Sequence, residues 1–309
     1  YVEQGRSPVS LEQTNVAIRL LRDELNSSHG IVSATTMCAS LLVCNLQLFE
    51  GSPWTGYLEL MINLYRLEDD LAYLQPDPEY DLALRHQLEV LAMMDISFLV
   101  LSRASASVGM CSRFCKLKES WAGGWLAGLK PVLGLPQSLV DILARTSEGT
   151  ESCLEQDLWY WPGEVGHLLQ YQHWDAARCA AILRLLRCHP CLPTDSTIPS
   201  SELLLYRLLN CLRVLQNAVG RPEYDAVLSM RAAIMAISEA SLMVTLLRKH
   251  KEWAQSLHRI RQHLLGSGSG PTRITELLFE LLDEAWDTGQ DEFDLDARAR
   301  ARGIEIAIF

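Results

Sequence analysis

Cys188-His189-Pro190-Cys191 carries two thiols with two residues between them, the spacing at which a pair of thiolates clasps one tetrahedral zinc ion. A closed site needs a second pair. Cys111 and Cys115 could supply it, but nothing in the chain joins the two pairs, and cysteines commonly pack as small apolar side chains. No metal and no other cofactor is therefore expected. Glu68-Asp69-Asp70 invites comparison with acidic clusters that share hard cations. Adjacent acids do not lie on one helix face, and no second acid follows within a turn, so a solvated helix end is the expected reading.

The densest aromatic cluster is Trp159, Tyr160, Trp161, Tyr171 and Trp174, with His167 and His173 beside it. Large rings with occasional polar tips build either a core or the wall of an apolar ligand pocket, and the sequence leaves both open. Trp121 and Trp125 are four apart, hence on one face if that segment is helical, and would extend such a wall. These nine residues are the candidate ligand site. No nucleotide loop, Gly-x-Ser-x-Gly elbow or His-Glu-x-x-His helix occurs, so the common phosphate, nucleophile and zinc-protease machinery has no support.

The elements that must position these residues belong to a chain of 309 residues, 49% hydrophobic and 21% charged. Such a composition excludes a disordered chain and suits a packed, soluble protein. With 38 acidic against 27 basic residues the formal charge is -11, which repels phosphates and disfavours direct contact with nucleic acid. The imbalance is uneven: ten acids and four arginines follow the linker at 266–270, eight acids and one arginine lie between Glu68 and Asp95, and five basic residues and one Glu lie between Arg248 and Arg261. Both internal runs are expected on solvated faces, with mutual docking as the sharper alternative.

Nine scattered cysteines do not form a disulfide framework, which points to a reducing compartment, nucleus or cytoplasm. Val90 to Leu101 is the most lipid-like run, but Asp95 breaks it and it falls short of the roughly 20 residues that span a bilayer, so no membrane partner is expected. The chain begins at Tyr1 rather than Met, as a trimmed chain would.

Apolar residues recur at helical spacing through most of the sequence, which predicts an all-α fold, an irregular multi-helix bundle of roughly a dozen helices with a short extended C-terminal tail. Helices are expected from Ser10 to Gly30, from Ser33 to Leu48 (apolar nearly all round, so buried and central), from Trp54 to Leu74, and from Asp81 to Ser102. A looser, glycine-rich region from Gly109 to Pro136 could move as a lid. Helicity resumes near Ser138 and over Gln156–Gln172, Trp174–Cys188, Ser200–Gly220, Glu223–Leu247, Lys251–Leu265 and Thr272–Trp286. Gly266-Ser267-Gly268-Ser269-Gly270 reads as a flexible linker, an engineered loop replacement or a natural low-complexity loop. Residues 1–309 are expected to form one helical domain, with a C-terminal helix and tail over 271–309. The alternating Ile304, Ile306 and Ile308 predict a strand or a docked extended end.

Two regions resemble a known family. Ala39 to Leu64, with Leu48-Phe49-Glu50-Gly51 followed by Trp54 and Tyr57-Leu58, is similar to the early segment of the fungal-specific transcription factor domain of binuclear zinc-cluster regulators. Ala236, Glu239 and Ala240 resemble its late Ala-Gly-x-Glu-Ala helix, and Leu281-Leu282-x-x-x-Trp286 with the Gly303-hydrophobic ending resembles its terminal helix. The chain departs from the pattern where Tyr57 replaces a His, Ile237 replaces the Gly, and Arg231-Ala232 stands for a Trp-Pro pair. The resemblance implies an all-helical regulatory domain that senses small molecules for transcription, often dimeric, with DNA touched only through a zinc-cluster module whose six close cysteines are not in these residues. The expected partner is a small apolar metabolite in an inter-helical pocket. The alternative is an enzyme on the same scaffold, a cofactor-independent cyclase or isomerase of a fungal secondary metabolite.

Overall fold

The computed structural model describes residues 16, 18–23, 34–67, 82–114, 134–146, 154–188, 197–219, 233–266 and 273–308. The architecture is all-α, as helical periodicity predicts. Helix α1 (Ala34–Glu50) buries Met37, Leu41, Cys44 and Leu48, a stripe at three- and four-residue spacing, against α2 (Thr55–Leu64), α3 (Leu82–Met94) and α11 (Arg273–Thr288). The expectation of burial all round is not met: Leu42, Leu46 and Phe49 on the other face are exposed. Gly51 then turns the chain with φ +70°, where a Cβ would also stand 2.7 Å from Leu277, so only glycine fits. Helix α2 stops at Leu64, well before Leu74, and Arg66 takes a φ of +50°.

Periodicity predicts helix through Ser102, yet α3 ends at Met94. Asp95 is the cause. Its carboxylate turns inward to accept from Arg103 Nη2 at 2.6 Å, Ser107 Oγ at 3.0 Å and Met110 N at 2.9 Å, organising the loop that follows. A single 3-10 turn leads into β1 (Val100–Leu101), which pairs antiparallel with β2 (Ile306–Ala307), Val100 opposite Ala307 and Leu101 opposite Ile306. The isoleucine tail is thus a docked strand.

Beyond it stand α4 (Gln137–Arg145), α5 (Leu154–Tyr160), α6 (Leu168–Cys188) and α7 (Ser201–Ala218). The helix expected over Gln156–Gln172 is split, because Pro162 cannot donate to a helical ladder and Trp161 turns inward. Helix α6 packs closely on α7, where Asp175 meets Arg207 and Cys211, and its Ala176, Ala177, Ala180 and Ala181 are all buried. Ser200 caps α7 by accepting from Leu203 N. Helix α8 (Ile234–Leu242) is buried along its whole length, and a break at Met243 separates it from α9 (Val244–Lys249); α10 (Lys251–Gly266), α11 and α12 (Leu295–Ala301) follow.

One contiguous core runs from Met37 to Ile308. Two buried carboxylates tie its parts together. Glu239 of α8 accepts from Arg187 of α6 at 3.0 Å with Arg184 at 3.8 Å; burial alone would lower the Arg187 pKa, and Glu239 outweighs that and raises it. Glu305, fully buried beside the tail strand, accepts from Trp54 N at 2.5 Å, Thr55 N at 3.0 Å, Thr55 Oγ1 at 2.5 Å and Ala104 N at 2.9 Å. It caps α2, whose first N–H groups have no side-chain cap of their own. No helix among the described residues is long and apolar enough to cross a membrane.

Candidate functional site

The aromatic cluster does come together in space, on α5, α6 and the loop between them. Trp161 meets Trp174 edge-on at 6.1 Å, and Tyr171 meets Trp174 at 5.1 Å, the tilted geometry that aromatic quadrupoles prefer. Each indole N–H in this pair is used: Trp174 donates to Gly134 O and Trp161 to Ser138 Oγ, both at 2.9 Å. Trp174 is 1% exposed and His173 is likewise buried. His167 lies on the surface, where its Nδ1 accepts from Leu169 N at the start of α6, and Tyr160 is exposed. Trp121, Trp125, Cys115, Cys191 and Glu68-Asp69-Asp70 lie outside the described residues.

What remains open in this corner is a cleft of about 280 Å³ whose wall is more polar than the rings suggest. Asp175 of α6 accepts from Arg178 Nη2 at 2.6 Å and from Arg207 Nε at 2.5 Å, and both guanidinium groups stand 5.6 Å from the Trp159 ring. Behind them Cys179 is pushed up to about 12 by burial and by Asp175, and Cys211 is raised for the same reasons. Such thiols stay protonated and are poor nucleophiles. Among the described residues no group of three or more His, Cys, Asp or Glu is placed to hold a metal ion.

A larger cavity, about 690 Å³, opens between α10 and α11, both of which pack on α8. Helix α10 supplies Ala254, Leu257, His258 and Arg261, one face at positions i, i+3, i+4 and i+7, with Gln255 and Arg259 at its margin; α11 supplies Leu282, Asp283 and Trp286; Ser241 and Leu247 also line it. Arg261 bridges the two helices, donating to Asp283 Oδ1 at 2.6 Å and to Phe279 O at 3.3 Å with its guanidinium 4.6 Å from the Phe279 ring. Arg248 lies 5.4 Å from the Trp286 ring and donates to Trp286 O. The basic run between Arg248 and Arg261 is therefore not only a solvated face. Its ion pairs go to Glu202, which holds Lys249 at 2.9 Å and His250 at 2.6 Å, and to Asp283. Of the acidic run's described members, Asp95 is committed to Arg103.

None of the described cavity residues belongs to the nine that the sequence singles out. The readable signal was the face of α10, on which Leu257 and Arg261 share a side. Comparison with known proteins adds no neighbour: no family model, no curated protein and no solved structure matches the chain.

Proposed function

We propose that this chain is the effector-sensing, regulatory part of a fungal zinc-cluster transcription regulator, and that a small, largely apolar metabolite occupies the cavity between α10 and α11. The observation that carries the reading is the cavity itself: about 690 Å³ lies within the roughly 300–1,000 Å³ that small-molecule sites occupy, and Leu247, Leu257, Leu282 and Trp286 give it an apolar wall beside its polar groups. The resemblance to the fungal regulators supports it, since Trp286 of the terminal motif lines the cavity and Glu239 of the late helix motif is the buried partner of Arg184 and Arg187. DNA contact falls to a separate zinc-cluster module, and the working compartment is the nucleus, reached from the cytoplasm.

The mechanism is population shift. A ligand that binds one arrangement of α10 and α11 tenfold better than another moves their equilibrium tenfold, about 1.4 kcal/mol, and moves nothing if it binds both equally. The test is a fusion of this chain to a heterologous DNA-binding domain and a reporter, screened with apolar fungal metabolites alongside thermal melts of the chain. A sensing domain gives at least one compound that raises the melting temperature by several degrees and changes reporter output. Ala254→Trp, which places an indole in the cavity, removes both responses while the ligand-free melt persists. Responses that survive Ala254→Trp, or a screen with no response, would overturn the reading. Turnover of a metabolite by the chain alone would replace it with the cyclase or isomerase alternative.

A further inference from the structure

The charge on the cavity wall is unbalanced. Arg261, His258 and Arg259 all line it, Arg248 backs Trp286, and the one carboxylate on the wall among the described residues is Asp283. No carboxylate among the described residues lies within ion-pair distance of Arg259; its Nε donates to Gln255 O at 3.4 Å. Asp283, the partner of Arg261, has a side chain that is 68% exposed, whereas that of Arg261 is only 17% exposed. The apolar part of the wall is formed by Leu247, Leu257, Leu282 and Trp286.

From this asymmetry, and resting on the cavity reading above, we infer that the cavity takes an amphipathic acid: an apolar body against Leu247, Leu257, Leu282 and Trp286, and a carboxylate held by Arg261 with Arg259 and His258 beside it. The physical case is an exchange of partners. Asp283 holds Arg261 from the solvent side, where water and salt screen the pair and its release returns an aspartate to full hydration. A carboxylate arriving from inside the cavity meets the same guanidinium in a sheltered place, can engage it by two parallel hydrogen bonds, and adds the burial of its own apolar body. A neutral compound of the same shape gains the burial but leaves the excess positive charge of the wall uncompensated. The ligand class is thus set by charge and the fit by the rings and leucines.

The test uses the full chain with dodecanoate and 1-naphthaleneacetate as acids and their methyl esters as neutral controls, read by quenching of tryptophan fluorescence and by calorimetry. The acids bind at least about tenfold more tightly than the esters, as a charge-assisted pair requires. Raising the salt concentration weakens the acids and leaves the esters unchanged. Arg261→Gln brings the acids down to the affinity of the esters. Arg259→Gln, at an exposed position, weakens the acids without touching the ester affinity and serves as the control should Arg261→Gln disturb the packing of α10 on α11. Acids and esters that bind equally well, or acids unaffected by either substitution, would overturn the assignment while leaving the cavity intact. If neither acids nor esters bind, the inference and the cavity reading fall together.

Discussion

Trp174 and Trp286 are both tryptophans on long helices, and they come to opposite ends. Trp174 is 1% exposed, its N–H is spent on Gly134 O, and the edges of Trp161 and Tyr171 close over it. Trp286 is 37% exposed, faces a cavity, and has Arg248 as its ring neighbour. The difference lies in what surrounds each ring. In the corner of α5 and α6, neighbouring aromatic residues close over Trp174 itself, and the cleft of about 280 Å³ that stays open beside them is lined by Trp161 and Tyr171 together with Asp175, Arg178 and Arg207. Between α10 and α11, Leu257, Arg259 and Arg261 line the cavity with Leu282 and Trp286. Aromatic density goes with close packing at Trp174, and a mixed helix face goes with the open cavity at Trp286.

The sharpest way to break that contrast is Trp174→Ala. If Trp174 is core, its removal costs about 3–5 kcal/mol, as large-to-small changes of buried aromatics do, and leaves the affinity of any cavity ligand unchanged in the variant that still folds. Trp286→Ala goes the other way, with roughly 1 kcal/mol of stability lost, since a good part of the ring is already in water, and ligand affinity lost. Urea denaturation and ligand titration of the two variants side by side decide it; a Trp286→Ala variant less stable than Trp174→Ala would sink the distinction. An effect smaller than that of Trp174→Ala is expected at Ser138, which accepts from Trp161 Nε1 and donates to Glu164 Oε1 at 2.5 Å. Ser138→Ala leaves a buried indole N–H without an acceptor and costs about 1–3 kcal/mol. A change near zero would mean that the corner is open enough for water to take the serine's place.

The fold was legible where periodicity and burial agree. Leu204, Leu205, Leu208, Leu212 and Leu215 announce the buried face of α7, and all are buried. It was illegible where a polar side chain acts over distance. Nothing local says that Asp95 should turn inward and end a helix whose apolar pattern continues, or that Glu305 should cap α2 from 250 positions away. Helix α1 misled in the opposite direction, because its uncharged outer face reads as core, although Leu42, Leu46 and Phe49 on that face are exposed and the described elements pack on the Met37, Leu41, Cys44 and Leu48 side. The site divides likewise. That Trp161, Tyr171 and Trp174 would meet follows from their closeness in sequence. A cavity between α10 and α11 does not, because a cavity is where two helices fail to touch, and a pattern on one helix cannot report the distance to another.

The least disruptive comparison uses pH. On the basic side, Glu202 in the first turn of α7 holds Lys249 and His250 where α9 passes into α10. Those hydrogen bonds, first Lys249 and then His250, lower the Glu202 pKa below its ordinary value, against the small opposing effect of burial. A depressed carboxylate pKa contributes stability that is complete above the unfolded value, about 4.3 for Glu, and is lost as pH falls through the lower folded value. Glu202→Gln should therefore be the less stable protein near neutrality, and its gap from the parent chain should close as pH is lowered past that range. The Trp174 bond to Gly134 O contains no titratable group, so the gap between Trp174→Ala and the parent chain should stay constant over the same window. Melting curves taken from pH 7 down to the acid transition separate the two slopes. A Glu202→Gln gap that does not narrow would mean that Lys249 and His250 contribute nothing through that carboxylate, and that the joint leading into α10 is held by the stacking of His250 on Trp253, 4.0 Å between ring centroids, instead.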